Sequence, residues 1–338
     1  MPEVVVVTGA SAGVGRATAR EFARRGARIG LIARGADGLA AAKRDVEALG
    51  GEALVCVADV ADHRQVEAAA NAVEQHLGPI DVWINNAMVT IVSPVKELAP
   101  DEFKHATEVT YLGTVYGTLA ALARMLPRDR GSIVQVGSAL AYRAIPLQAP
   151  YCASKFAIRG FTDSLRSELL HDKSNVHLTM VQMPALNTPQ FEWCKTRMPR
   201  QPQPVPPIYQ PEVAARAIVW AAHHRRREIW VGTSALKAIL ANKIAPGLLD
   251  RYLAATGYES QETDQPVQSD RADNFLSPLP GDYGAHGRFG AQARSWSPEL
   301  WLSTHRKWLA AAAALGLVAL GARRLGRIGE ARGADGND

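Results

Sequence analysis

The chain has 338 residues, of which 47% are hydrophobic, so it can bury the core of one large domain or two modest ones. Its net charge of +5 is small, and no basic stripe interleaved with aromatic residues accompanies it, which argues against a nucleic-acid-binding protein. The three cysteines, Cys56, Cys152 and Cys194, are far apart and form no CxxC pair. They indicate a reducing, cytoplasmic compartment and no metal site.

The chain begins with a run of four valines, Val4 to Val7, which predicts a strand that is covered on both faces. No basic and long apolar segment precedes the run, so no secretion signal is predicted. The next residues, Thr8 to Gly15, read T-G-A-S-A-G-V-G, and a helical pattern continues to Arg25. A glycine-rich turn between a strand and a helix lets the backbone approach a pyrophosphate at the positive helix end. The stretch therefore predicts a dinucleotide site, with an ordinary strand-to-helix turn as the alternative.

The second predicted strand, Arg28 to Ala33, is followed by Arg34. In dinucleotide-binding folds an acidic residue at this point binds the 2′-hydroxyl group of NAD, whereas an arginine accommodates the 2′-phosphate of NADP. Arg34 therefore favours NADP over NAD, although a surface arginine at a strand end is also common.

Strands and helices continue to alternate along the chain. Helix Asp37 to Leu49 leads to the strand Ala53 to Val57, and helix His63 to Leu77 leads to the strand Asp81 to Ile84. This alternation predicts an α/β fold with a parallel sheet, in which ligands gather at the carboxyl ends of the strands. The residues expected at this edge are Gly9, Arg34, Asp59, Asn86 and Ser138.

A long predicted helix, Glu102 to Leu126, precedes the strand Ile133 to Val136 and Ser138. Tyr151 and Lys155 follow, four residues apart, so a helix would place both side chains on one face. The lysine charge is expected to lower the pKa of the phenol and make it a proton donor or acceptor. The Ser138 hydroxyl could reach the same substrate oxygen. Taken alone, an exposed Tyr–Lys pair on a helix is the alternative.

The remaining elements are a helix to about Leu170, strands Val176 to Val181 and Glu228 to Val231, and a helix Pro211 to Ala222. We therefore divide the chain into a catalytic domain of residues 1–255, a polar, loosely folded extension of residues 256–300, and a tail of residues 301–338.

The tail contains the apolar stretch Trp308 to Ala322, whose 15 residues would span about 22 Å as a helix against about 30 Å of bilayer core. Flanking arginine and lysine side chains and the tryptophans suit a membrane interface. Membrane association is one interpretation, and an alanine-rich helix docked on the domain or on another subunit is the other.

Five ordered motifs give the chain a family resemblance. They are T-G-A-S-A-G-V-G at Thr8 to Gly15, Asp59-Val60, N-N-A at Asn85 to Ala87, Ser138, and Y-C-A-S-K at Tyr151 to Lys155. Over Pro2 to Gly232 the chain resembles the short-chain dehydrogenase/reductase family in its compact single-domain branch. The resemblance implies a Rossmann-type doubly wound parallel sheet of about seven strands with helices on both faces, followed here by a C-terminal extension. It also implies a homo-oligomer.

The resemblance implies a role for each matching residue. Tyr151 would exchange a proton with the substrate oxygen, Lys155 would lower its pKa and bind the nicotinamide ribose, and Ser138 would hold the substrate oxygen. The residues implied to contact the cofactor are Gly9, Ser11, Ala12, Gly13 and Gly15 at the pyrophosphate, Asp59 and Val60 at adenine, Asn86 on the adenosine side, and Thr188 at the nicotinamide or phosphates.

Three positions depart from the family pattern. Met88 stands where N-N-A usually continues with glycine, and Ala185 follows Pro184 where glycine is usual. Thr110 stands where many members have the asparagine of a catalytic tetrad, so the proton relay to Lys155 is in doubt.

Two stretches, Leu140 to Gln148 and Thr188 to Gln210, are expected to wall the substrate pocket, and the prolines from Pro199 to Pro211 suggest a mobile lid. Their apolar residues favour a hydrophobic carbonyl or alcohol, or serve as packing. These residues are Leu140, Ile145, Leu147, Phe191 and Trp193.

The favoured function is an NADP(H)-dependent oxidoreductase that acts on a carbonyl or secondary alcohol. A non-catalytic NADP(H)-binding or sensing protein is the alternative. The spacing of the glycine turn and the lack of a large second domain disfavour a sugar-nucleotide epimerase.

Overall fold

Apolar, β-branched runs form the strands, because such side chains pack well on a sheet that is covered on both faces. The structure is a computed structural model that describes residues 2–268 and 270–306. All five residues of the first strand are buried, as the valine run predicts. The strands are β1 Val4–Thr8, β2 Arg28–Ala33, β3 Glu52–Val57, β4 Val82–Asn85, β5 Ser132–Ser138, β6 His177–Met183 and β7 Glu228–Trp230.

The seven strands form one parallel sheet in the order β7-β6-β5-β4-β1-β2-β3. At its centre Val6 of β1 pairs with Gly30 of β2 on one side and with Trp83 of β4 on the other. The direction of winding reverses between β1 and β4, and such a switch point opens a crevice beyond the strand ends. The predicted doubly wound fold is confirmed.

Helices cover both faces of this sheet. The helices are α1 Gly13–Ala23, α2 Ala36–Ala48, α3 His63–Leu77, α4 Pro100–Thr107, α5 Gly113–Met125, α6 Ala149–His171, α7 Pro211–His223, α8 Thr233–Ile244 and α9 Pro246–Thr256. In one layer α1 packs on α2 and α7, and in the other α5 packs on α3 and α6. The crossovers therefore place the amino ends of α1 and α6 beside the crevice.

The predicted continuous helix from Glu102 to Leu126 is wrong at one point. α4 ends at Thr107, a π-helical turn spans Glu108–Leu112, and α5 begins at Gly113. A Cβ atom on Gly113 would lie 2.7 Å from Cγ2 of Val60, so this close approach needs glycine. Hydrophobic periodicity does not reveal such a turn, and π turns are frequent at functional sites.

The proline-rich stretch is tied to its neighbours by short strands. Arg200–Pro202 pairs with Glu262–Pro266, and Ile208–Tyr209 pairs with Ala185–Leu186. The Arg200 guanidinium also donates to the Glu262 carboxylate at 3.1 Å. These contacts hold the stretch in the described conformation, and its movement as a lid stays a prediction.

The polar stretch after α9 belongs to the same compact unit as the sheet, which extends from Met1 to Ser297. It has little regular structure, yet Phe275 is fully buried in the main hydrophobic cluster. The His105 imidazole also approaches the Phe275 carbonyl oxygen to 2.9 Å. The polar composition predicts a loosely folded segment, but buried aromatic residues such as Phe275 fasten it to the domain.

A second compact unit begins at Pro298, and its residues 298–306 are helical. The predicted tail helix, Trp308 to Ala322, lies outside the described residues. Across residues 2–268 and 270–306, no helix combines the length and the apolar character that crossing a bilayer requires. Membrane association of the tail stays a prediction.

Truncating the buried anchor should destabilise the whole domain. Phe275→Ala should lower the free energy of unfolding by about 3–5 kcal/mol, as for other large-to-small core substitutions, measured by urea denaturation. Leu276→Ala is the matched control, because its side chain is 65% exposed. Equal unfolding midpoints for the two variants would show that the extension is loosely attached.

Candidate functional site

The glycine turn after β1 approaches its neighbours too closely for side chains. A Cβ atom on Gly15 would lie 2.1 Å from the carbonyl oxygen of Gly9, and one on Gly9 would lie 2.9 Å from Cα of Ala87. Gly9 and Gly13 also have positive φ angles of 67° and 55°, which favour glycine. Ala12, whose methyl group cannot cap a helix, precedes the first turn of α1. The turn therefore fits an anion such as a pyrophosphate.

One cleft brings together most of the predicted cofactor residues. Its lining includes Gly9, Ser11, Ala12, Gly13, Arg34, Asp59, Val60, Asn86 and Thr188. Gly15 is not part of this lining, but its close approach to Gly9 supports the turn that is. The predicted residues thus converge at the carboxyl ends of β1 to β4.

Asn86 and Asp59 are held by backbone groups. The Asn86 amide donates to the Thr8 carbonyl oxygen at 2.9 Å, and Asp59 Oδ1 accepts from the Ala61 amide at 2.9 Å. Asn86 therefore shapes the floor of the cleft, while the second oxygen of Asp59 remains on its wall.

Arg34 lies at the predicted position but turns toward the later part of the chain. Its Nη2 donates to the Asn274 carbonyl oxygen at 2.7 Å, and its Nη1 donates to the Leu276 carbonyl oxygen at 2.9 Å. Burial lowers the pKa of the guanidinium, with Asp59 acting in the opposite direction. Arg34 is thus shared between the cleft and these carbonyl groups.

Residues that sequence reasoning missed complete the cleft. Thr90 is 4% exposed, and its hydroxyl lacks a hydrogen-bond partner among the described residues. A buried hydroxyl group on a cleft wall suits a polar group of a ligand. The other missed residues include Asn274, Pro278, Leu279, Gly281 and Tyr283. The polar stretch that holds these five carries no motif, so the sequence offered no signal for them.

Ser138, Tyr151 and Lys155 come together where β5 ends and α6 begins. Lys155 is 3% exposed and its Nζ donates to the Val136 carbonyl oxygen at 2.7 Å. The same Nζ lies 5.4 Å from the centre of the Tyr151 ring. Ser138 Oγ accepts from the Leu140 amide at 3.1 Å, which leaves its own proton free to donate. These three side chains lie outside the described lining of the cleft.

The pKa values at this site differ from the expectation for Tyr151. Burial raises the pKa of Tyr151 to about 12, and the Ser138 hydroxyl lowers it by a smaller amount. Burial also lowers the pKa of Lys155 to about 8. The expected net lowering of the phenol pKa is therefore wrong for this geometry, because loss of solvent is the largest influence on it.

Thr110 occupies the π-helical turn and is fully buried. Its hydroxyl accepts from the Val89 amide at 3.3 Å and donates to the Val89 carbonyl oxygen at 3.2 Å. Its own carbonyl oxygen accepts from the Thr114 hydroxyl at 3.0 Å. Thr110 thus fixes Val89 on the cleft wall without an amide side chain.

Two of the residues that were predicted to line the substrate pocket are packed in the core instead. Leu147 is buried with Val92, Cys194 and Met198, and Phe191 is buried with Ile208 and Phe289. Trp193 does face the cleft. Ile145 lines a second cavity, which includes Phe156, Leu253 and Tyr258.

Comparisons place the chain among oxidoreductases. The family model for short chain dehydrogenase matches residues 3–197, which include Ser138, Tyr151 and Lys155. The uncharacterized oxidoreductase YxnA of Bacillus subtilis is 32% identical over 266 residues, 78% of this chain and 75% of that protein. The 3-dehydrosphinganine reductase of Danio rerio is 34% identical over 223 residues, 64% of this chain and 67% of that protein.

A solved structure shares the fold. The alcohol dehydrogenase from the archaeon Thermococcus sibiricus, complexed with 5-hydroxy-NADP, has a TM-score of 0.59 and 25% sequence identity. The match covers 68% of this chain and 96% of that one. The similarity therefore extends over nearly the whole of the archaeal chain.

A side chain on Gly15 should disrupt the anion-binding turn. Because its Cβ would meet the Gly9 carbonyl oxygen, Gly15→Ala should weaken NADPH binding at least about ten-fold in a fluorescence titration. Gly160→Ala is the control, since its Cβ meets nothing within 4 Å. Wild-type affinity in a folded Gly15→Ala variant would contradict this geometry.

Burial of Lys155 should make stability depend on pH. Its pKa falls from 10.5 to about 8 on folding, so the unfolded chain holds the proton more tightly between these values. The free energy of unfolding should therefore rise with pH across this window, by up to about 3 kcal/mol from this group. Urea denaturation should show this rise in the wild type and in Lys43→Met, whose side chain is exposed, but not in Lys155→Met.

Measurements should stay below about pH 9, because burial raises the pKa of the Cys152 and Cys194 thiols to about 11 and these groups act in the opposite direction at higher pH. Parallel pH profiles for the wild type and Lys155→Met would exclude a lowered pKa for Lys155.

Proposed function

This chain belongs to the short chain dehydrogenase family, and from that premise we propose that it is an NADP(H)-dependent oxidoreductase acting on a hydrophobic carbonyl or secondary alcohol. The observation that carries the proposal is the meeting of Ser138, Tyr151 and Lys155 at the end of β5. When bound, the dinucleotide supplies or accepts the hydride, and the protein positions the reacting groups.

Each of the three side chains has a distinct task. Ser138 Oγ accepts a hydrogen bond from the Leu140 amide, and its hydroxyl is hydrogen-bonded to the Tyr151 phenol, so in our proposal it turns to the substrate oxygen when a substrate binds. Tyr151 donates the proton that the developing alkoxide needs, at its phenol oxygen. The Lys155 ammonium, held by the Val136 carbonyl, keeps a positive charge beside the phenol ring. Loss of the phenol proton is thereby favoured at the moment of transfer.

The raised pKa of Tyr151 favours the reductive direction. A phenol with a pKa of about 12 is protonated at neutral pH, so it is ready to donate to a carbonyl oxygen. Oxidation of an alcohol requires the phenolate, which becomes more abundant as pH rises. The reduction is therefore expected near neutral pH and the oxidation in alkaline solution.

Arg34 supports NADP as the preferred cofactor. It follows β2 directly and lines the cleft, where a guanidinium can form paired hydrogen bonds to a phosphate. The 5-hydroxy-NADP complex of the archaeal alcohol dehydrogenase supports the same choice.

A carbonyl substrate is supported by one of the relatives. The reductase that acts on 3-dehydrosphinganine in Danio rerio supports a carbonyl reduction.

Association of two copies is supported by apolar side chains on α5 and α6. Leu119 and Phe156 are 55% and 43% exposed. Such side chains suit a helix-to-helix interface between copies of this chain.

Removing the phenol hydroxyl should abolish turnover. With a panel of hydrophobic ketones, Tyr151→Phe should lower kcat/KM for NADPH oxidation by roughly 10²–10⁴-fold, because the proton donor is lost. NADPH affinity, measured by fluorescence, should stay within about two-fold of the wild type. NADH should be the poorer hydride donor in the wild type.

Tyr116→Phe is the matched control, because this tyrosine packs on His63 away from β5 and should keep wild-type turnover. Undiminished turnover in Tyr151→Phe would contradict the catalytic assignment. NADPH binding without turnover of any ketone in the wild type would instead favour the non-catalytic binding protein.

A further inference from the structure

A strap, defined as residues 271–289, crosses the mouth of the dinucleotide cleft. At its beginning the Arg271 guanidinium donates to the carbonyl oxygens of Phe191 at 3.0 Å and Cys194 at 2.7 Å. In its middle the Tyr283 ring meets the Trp193 ring edge-on, with 4.6 Å between the centroids. The strap thus joins the loop after β6 to the opposite side of the cleft.

At the end of β2, carbonyl oxygens of the strap accept hydrogen bonds from the Arg34 guanidinium. Besides Asn274 at 2.7 Å and Leu276 at 2.9 Å, the Phe275 carbonyl oxygen lies 3.4 Å from Nη1. All of these acceptors are neutral carbonyl groups. A phosphate dianion would be the stronger partner for the same donors.

Over the glycine turn, the strap occupies the amino end of α1. The Gly13 amide donates to the Gly284 carbonyl oxygen at 3.1 Å. The Arg16 guanidinium forms an ion pair with Asp282, and the Gly281 amide donates to Asp37 Oδ2 at 2.8 Å. The strap therefore places a carbonyl oxygen where the turn offers an amide to a pyrophosphate.

The two ends of the strap are buried, and its middle is held only by contacts at the surface. Phe275 is fully buried, and Ala285 and Phe289 are 3% and 6% exposed. The intervening residues 276–284 are exposed or half-buried. Gly281 and Gly284 have positive φ angles of 97° and 66°, and a Cβ on either would meet nothing within 4 Å. The middle can move away while the buried ends hold their places.

We propose that residues 276–284 are a gate over the dinucleotide cleft. In the closed gate, the carbonyl oxygens of Leu276 and Gly284 accept hydrogen bonds from Arg34 and Gly13, the donors that the dinucleotide phosphates need. The inference rests on the proposed function, because the dinucleotide is the ligand that competes with the gate. At Gly13 the competitor is the pyrophosphate, which NADPH and NADH share. At Arg34 the competitor is the 2′-phosphate, which NADPH alone carries.

The gate makes dinucleotide affinity depend on the fraction of open molecules. The apparent Kd equals the intrinsic Kd divided by that fraction. A variant that destabilises the closed gate should therefore bind the dinucleotide more tightly and faster. If the segment instead closed over a bound cofactor and contacted it, the same variant should bind the dinucleotide more weakly.

Two variants weaken the closed gate by independent means. Gly284→Ala puts a side chain on a residue in the left-handed region without a clash. Asp282→Asn removes the ion pair with Arg16. Stopped-flow fluorescence should show a rise of about ten-fold in the association rate constant for NADPH and a similar fall in Kd. The gain for NADH should be of similar size, because both dinucleotides need the same open gate.

Each variant has a matched control. Gly26 also has a positive φ angle, 73°, with nothing within 4 Å of an added Cβ, and it lies in the turn after α1. Asp163 pairs with Arg166 and Arg227. Gly26→Ala and Asp163→Asn should bind both dinucleotides as the wild type does.

Hydrogen exchange gives a readout that needs no dinucleotide. The Gly13 amide, which the gate protects, should exchange faster in Gly284→Ala and Asp282→Asn than in the controls. Unchanged exchange at Gly13, or weaker dinucleotide binding in the gate variants, would overturn the gate. Faster exchange with wild-type association rates would overturn it too and leave the proposed function standing. Failure of every variant and the wild type to bind either dinucleotide would remove the proposed function and the gate together.

Discussion

One hydroxyl group, that of Thr8, holds the two sides of the crevice together. It accepts the amide protons of Asn86 at 2.9 Å and Ala87 at 3.0 Å, and it donates to the Ile84 carbonyl oxygen at 3.2 Å. Its full hydrogen-bonding capacity is thus spent on joining β1 to β4. Because the strand ends are fixed this closely, Gly9 has no room for a side chain, and the floor of the cleft is bare backbone.

Local patterns predicted the sheet and the glycine turn, because the valine run and the spacing of Gly9 and Gly15 are properties of adjacent residues. The π-helical turn at Thr110 could not be predicted, since hydrophobic periodicity does not distinguish it from an α-helical turn. The packing of Phe275 could not be predicted from the sequence either. Its partners lie far away in the sequence, and its polar neighbours suggest a segment without a core.

Electrostatics at the site depends on burial more than on the pairing of charges. The four-residue spacing of Tyr151 and Lys155 was enough to place both side chains near Ser138. It could not reveal that the phenol and the ammonium both lose solvent, which pushes both groups toward their neutral forms. Arg34 follows the same rule, because its carbonyl partners replace water without adding charge. Depth within the fold, rather than sequence spacing, decides these protonation equilibria.

The ion pair between Arg16 and Asp282 joins residues that are 266 positions apart in the sequence. A ribosome releases the amino-terminal part of a chain first, and domains fold as they emerge. The strands and helices that form the crevice therefore leave the ribosome well before the segment that covers it. The ion pair can therefore form only once the segment that covers the crevice has been synthesised.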